Sequence, residues 1–125
     1  MGLLPSLRQK KRYVVFEIIS KQNFTFAEIK EEVERALLQF LGDLGWSQSS
    51  PQLVKEKFNP QTQRFILKIN HRFVDEVKVA LALSKKIKNT PIITRSIVVS
   101  GTLKKASVAL TATKKDAKDA VKEKK

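Results

Sequence analysis

Residues 90–105 read TPIITRSIVVSGTLKK, and the reading of this stretch decides the fold. Ile92, Ile93, Thr94, Ile97, Val98 and Val99 are β-branched and suit a pleated, packed surface, so the segment predicts a strand. Pro91 blocks helix entry from upstream, and Gly101 offers a flexible exit. Strict alternation puts Ile93, Arg95, Ile97 and Val99 on one face and Ile92, Thr94, Ser96, Val98 and Ser100 on the other. An arginine among apolar neighbours is costly to bury unless it meets an anionic partner. Beyond Gly101 the chain is lysine-rich and short of large apolar residues. The stretch therefore reads as the last strand of a domain, delivering a basic extension.

Working outward, residues 74–87 carry Val74, Val77, Ala80, Leu81, Ser84 and Ile87 at helical spacing, and Asn89-Thr90-Pro91 ends that helix. Residues 64–70 alternate, with Phe65, Leu67 and Ile69 facing a core and Arg64, Ile66, Lys68 and Asn70 opposite. Residues 53–58 predict an edge-like strand, joined to it through the Asn59-Pro60 turn. Residues 46–51 read as a Ser-rich loop. Residues 25–44 predict a helix opened by a Thr25/Glu28 capping box, with Phe26, Ile29, Val33, Leu37, Phe40, Leu41 and Leu44 as one apolar stripe and Gly42 and Gly45 as stop signals. Residues 13–19, YVVFEII, are apolar on both faces apart from Glu17, as an interior strand would be. The order is β-α-β-β-α-β. An α+β, ferredoxin-like (RRM-like) fold follows, a four-stranded antiparallel sheet with both helices on one face.

At 125 residues and 42% hydrophobic content the chain supports one folded domain. Its 25 Lys+Arg against 12 Asp+Glu give a net charge of +13. Such a balance points to a polyanionic partner, nucleic acid before an acidic membrane. The charge is uneven: nine of the thirteen net charges lie in residues 1–12 and 103–125. This divides the chain into a basic arm (1–11), a globular body (12–105) and a Lys/Ala-rich tail (106–125), whose composition predicts fraying without a partner. No long apolar run or secretory signal is present, and cysteine is absent, so the reading is a cytoplasmic protein away from membranes.

Catalytic patterns lack their parts. His71 is the single histidine, there is no cysteine, and neither GxxxxGK[ST] nor GxGxxG occurs. Asp75-Glu76 at a helix start suits the helix dipole without invoking a metal. The acidic face of the first helix places nucleic acid elsewhere. Base stacking in the manner of RNA-recognition motifs has one platform residue, Tyr13, on the first strand, and residues 64–69 lack an aromatic-rich pattern. Single-strand readout is accordingly demoted. Val15, Ile66 and Val98 on the open sheet face instead predict a protein-docking surface.

Arg12-Tyr13-Val14-Val15-Phe16-Glu17-Ile18, Val79-Ala80-Leu81-Ala82-Leu83 and Val98-Val99-Ser100-Gly101-Thr102-Leu103-Lys104-Lys105 together resemble the archaeal ribonuclease P protein component 2 family, the Pop-five family. The resemblance spans residues 12–105, and the SGT-aliphatic-basic ending is its most specific piece. It implies a non-catalytic subunit of the ribonucleoprotein that removes 5′ leaders from precursor tRNA. It further implies ribonuclease P RNA as the catalyst, Mg²⁺ on that RNA with no cofactor on this chain, a TIM-barrel partner of the Rpp-thirty family, and self-association within a heterotetramer. The residues expected to meet RNA are Arg8, Lys10, Lys11 and Arg12 before the first strand and Lys104 and Lys105 after the last. Neighbouring antiparallel first and last strands would merge these into one patch. Arg72 and Arg95 are second choices, since either is also suited to an internal salt bridge. The alternatives are an ACT-like small-ligand module, for which residues 20–23 offer no Gly-rich loop, and a general ribosomal or chromatin protein.

Overall fold

The computed structural model describes residues 10–111, from which the following architecture is drawn. Strand β1 (Lys11–Ile19) leads to helix α1 (Phe26–Ser49), the two-residue β2 (Gln52–Leu53), β3 (Arg64–Asn70) and α2 (Val74–Ala82). A small hairpin, β4 (Lys86–Ile87) with β5 (Thr90–Pro91), precedes β6 (Ile93–Ser100) and a third helix, α3 (Leu103–Thr111). The main sheet has the order β2-β3-β1-β6, and each neighbouring pair is antiparallel. Its fold is the ferredoxin-like one expected, with an added helix on the second face.

The principal core lies between the sheet and α1/α2. Val14, Phe16 and Ile18 of β1 meet Phe65, Leu67 and Ile69 of β3 beneath Ile29, Val33, Leu37, Val77 and Leu81. Phe16 and Phe65 stack with ring centroids 5.6 Å apart. α1 starts at the predicted capping box: Glu28 N–H donates to Thr25 Oγ1 at 3.3 Å, and Thr25 N–H donates to Glu28 Oε1 at 2.9 Å. The Thr25 backbone N–H, then Lys88, holds the Glu28 carboxyl below its ordinary value. A depressed carboxylate stabilises the fold above its unfolded value near 4.5, and that contribution fades as pH falls through the lower folded value.

Several boundaries differ from the sequence reading. Gly42 does not stop α1 but kinks it, at φ 75 and ψ 177, a region open essentially to glycine, and the helix resumes to Ser49 through the expected Ser-rich loop. The strand expected over 53–58 shrinks to Gln52–Leu53, followed by a 3₁₀ turn at Lys55–Lys57. α2 ends at Ala82, yet Ser84 and Ile87 still bury where the stripe placed them. Gly101 does not adopt a left-handed conformation, and a Cβ there would meet Arg12 at an ordinary 3.8 Å.

Two corrections bear on function. The alternation drawn for the last strand fails because a bulge lies between its two halves: Val15 pairs with Val98 while Phe16 pairs with Ser96. The extra residue, Ile97, reverses the parity, so Arg95 shares a face with Val98 and Ser100. The sheet face expected to be open is also occupied. α3 lies over it, and Val15 and Ile66 are 0% exposed beneath Ala106 and Leu110, with Val98, Val54 and Leu103 packed around them. Residues 106–111 of the expected flexible tail therefore belong to the folded body. The rest of that tail, like Arg8 and most of the N-terminal arm, lies outside the described residues.

Candidate nucleic-acid interface

Cross-strand partners share a sheet face, so the registers arrange the α3 side into rows. In the first, Glu17 stands between Arg64 and Arg95; in the second, Val15 stands between Ile66 and Val98; in the third, Tyr13 stands between Lys68 and Ser100. Lys11, paired with Asn70, forms the last row at the sheet end.

The first row is an ion-pair triad. Glu17 Oε2 accepts from Arg64 Nε at 3.0 Å and Glu17 Oε1 accepts from Arg95 at 2.8 Å. Arg64, 2% exposed, also donates to the Ala109 carbonyl at 2.6 Å. Thr62 Oγ1 and Asn59 Nδ2 donate to the Leu110 carbonyl at 2.9 and 3.3 Å. The carbonyl-rich end of α3 thus meets a cation and two neutral donors, as its dipole favours. Arg95 is thereby spent on Glu17, at the sheet end remote from Lys11. The structure does not bring it to the basic cluster.

The other basic residues do converge. Antiparallel pairing of β1 with β6 places Tyr13 opposite Ser100, so Lys10–Arg12 lie beside the turn that starts α3 with Lys104 and Lys105. The Arg12 guanidinium donates to the Lys11 carbonyl at 3.2 Å and sits against Gly101. On the other side β3 delivers its end to the same place. His71 N–H donates to the Lys10 carbonyl at 2.8 Å, and the His71 ring Nδ1 lies 3.2 Å from that oxygen. Arg72 follows in the same turn, its N–H donating to Asn70 Oδ1 at 3.1 Å. Lys10, Lys11, Arg12, Arg72, Lys104 and Lys105 accordingly share one end of the sheet. Among the described residues none of these six forms an ion pair with a carboxylate. Uncompensated cations so gathered focus a positive potential suited to a phosphate backbone.

A model of the Rpp14/Pop5 family matches residues 12–111, which include both sheet faces and all three helices. The chain belongs to the Rpp14/Pop5 family. Its curated relatives include the ribonuclease P protein component 2 of Pyrococcus furiosus, 39% identical over 82% of this chain and 84% of that protein. The namesake proteins of Pyrococcus abyssi (37%, over 82% and 86%) and Methanocaldococcus jannaschii (34%, over 90% and 81%) are similar to it as well. Among solved structures, a chain in the cryo-EM structure of yeast ribonuclease MRP superposes with a TM-score of 0.61 at 14% identity, over 94% of this chain and 92% of that one. At that identity the likeness speaks for the fold. The family match extends through Thr111, consistent with α3 being part of the Rpp14/Pop5 domain rather than an appendage.

The sequence reading missed two contributors. Lys68 and His71 are not among the residues expected to meet RNA, yet pairing puts Lys68 beside Tyr13 and His71 beside Lys10. The parity of Lys68 with Ile66 was a usable signal for its face. His71 had none, because its role depends on a backbone carbonyl of another strand.

Proposed function

We propose that this chain is a non-catalytic protein subunit of ribonuclease P, binding the catalytic RNA through the cluster of Lys10, Lys11, Arg12, Arg72, Lys104 and Lys105. The convergence of these cations at one sheet end carries the reading, and membership of the Rpp14/Pop5 family supports it. Removal of 5′ leaders from precursor tRNA is then the reaction served, in the cytoplasm. Among the described residues no three His, Cys, Asp or Glu side chains are grouped to hold a metal ion. In this reading Mg²⁺ belongs to the RNA. The protein's cations lower the repulsion between catalytic RNA and tRNA substrate, which otherwise demands high Mg²⁺. Charge reversal at Lys10, Lys11, Lys104 and Lys105 is expected to raise the Mg²⁺ concentration needed for cleavage while the fold persists. Cleavage rate against Mg²⁺ for RNA alone, RNA with wild-type proteins and RNA with the reversed variant checks this. Coincident curves would refute the reading.

The TIM-barrel partner needs a surface other than the one α3 occupies. The helix layer offers it: Phe40, Val79 and Leu83 are 44, 48 and 59% exposed, and Phe40 and Leu83 line a cleft of about 290 Å³ between α1 and α2. Glu31, Glu34, Asp43, Asp75 and Glu76 on these helices disfavour a polyanion there, so a protein is the fitting occupant. Glu32, which accepts from Arg35 and from Ser84 Oγ, fixes one helix against the other at the cleft. Leu83→Glu, on an exposed site, is expected to leave the melting temperature within a few degrees and to weaken the partner complex at least ~10-fold, as loss of a central apolar contact does. Unchanged affinity by calorimetry would move the docking surface elsewhere. Self-association within a heterotetramer is part of the same proposal.

A further inference from the structure

α3 covers the first two rows of the sheet face and stops short of the third. Leu103 is its one residue at the boundary. Beyond it, Tyr13, Lys68, Gln52, Leu53, Glu56 and Leu103 line an open groove of about 340 Å³, just within the range of pockets that hold small ligands (about 300–1,000 Å³). Tyr13 is half-buried and packs at the margin of the cluster that α3 covers. Lys68 Nζ lies 6.0 Å from the ring centroid, at the outer limit of a cation–π contact. Among the described residues no carboxylate pairs with Lys68, so its ammonium keeps donors to give. Gln52, opposite Lys68 in the register, supplies an amide that both donates and accepts.

We propose that this groove holds one unpaired nucleobase, stacked on Tyr13 and held at its edge by Lys68 and Gln52. The inference rests on the RNA-binding reading above and deepens it, since it assigns a single-stranded segment to a defined place. Three observations carry it. The groove has one aromatic surface between apolar walls and a rim of donors and acceptors, which is the composition that a base with a π-face and polar edges requires. It adjoins the cation cluster directly: Lys11 is two residues before Tyr13 on the same face, and Lys104 follows Leu103. A phosphodiester chain running over those lysines would pass the mouth of the groove. Finally, the apolar part of the face, whose Val15, Ile66 and Val98 suit a protein partner in the sequence, is consumed by α3. What remains accessible is the polar-aromatic row.

Tyr13 is the single tyrosine of the chain, so its ring resonances report this groove alone. The full-length protein with labelled tyrosine would be titrated with a short single-stranded RNA and with a fully paired RNA duplex of equal length, at one salt concentration. The single strand is expected to shift the ring resonances upfield and the duplex to leave them in place. Tyr13→Ala should weaken single-strand binding about 5- to 100-fold without altering duplex binding or the salt slope, and Tyr13→Phe should retain wild-type affinity. The double variant Lys104→Glu/Lys105→Glu should weaken both RNAs. Single-strand binding that leaves the wild-type ring unmoved, or ring shifts equal for duplex and single strand, overturns the groove and spares the RNA-binding reading. Binding of neither RNA removes that reading and the groove with it.

Discussion

A chain cut after Lys105 is expected to lose most of its stability, although the missing residues look dispensable in the sequence. The cut removes Ala106 and Leu110 and uncovers Val15 and Ile66, which are fully buried in the intact fold. At about 1.5–3 kcal/mol for each large aliphatic side chain moved between water and core, exposing Val15 and Ile66 and losing Leu110 costs on the order of 4 kcal/mol or more. It also strips Arg64 of its bond to the Ala109 carbonyl and leaves Thr62 and Asn59 without the Leu110 carbonyl. A domain of this size has only about 5–15 kcal/mol in hand. Urea titration of the chains ending at residues 105, 111 and 125 checks this. The first should unfold at much lower denaturant, or precipitate through the exposed face, and the other two should differ little. Equal midpoints for 105 and 125 would show that α3 does not hold the sheet.

Replacing Glu17 by Gln is expected to be nearly as costly. Glu17 pairs with two arginines, of which Arg64 is buried. The substitution keeps the shape and removes the charge that the buried Arg64 guanidinium and Arg95 share. Removing one partner of a buried ion pair typically costs about 3–5 kcal/mol. For a domain of this length that corresponds to a fall in Tm of more than ~12 °C. Arg95→Gln should cost far less, ~1 kcal/mol or below, because its side chain is 46% exposed and water already screens it. Thermal unfolding of the two variants side by side separates them. Equal small shifts would mean that the Glu17 charge is not what holds Arg64 in its buried place.

Much of the architecture was legible because it rests on local chemistry. The 3.6-residue stripe of Ile29, Val33 and Leu37 and the capping box at Thr25 specify a helix without help from elsewhere. Apolar residues on both faces of residues 13–19 required an interior strand, and β1 is interior. The gathering of the basic segments also followed from the strand order, since antiparallel first and last strands bring Arg12 beside Gly101.

What remained hidden depended on partners distant in the chain. Ala106 and Leu110 are too few to announce a docked helix. Their burial becomes favourable only over a preformed face of Val15 and Ile66, with Arg64, Thr62 and Asn59 waiting for the helix end. The bulge at Ile97 had no residue signature either, because strict alternation is the default and only pairing with β1 reveals the extra residue. That one residue turned Arg95 from a presumed neighbour of Val99 into the partner of Glu17. By itself the sequence determined the four strands of the main sheet and its first two helices, their order and the sign of the charge. The tertiary structure decided which face stays accessible, which arginines are neutralised and where Tyr13 sits, because each of these is a contact between residues that are neighbours only once the sheet has formed.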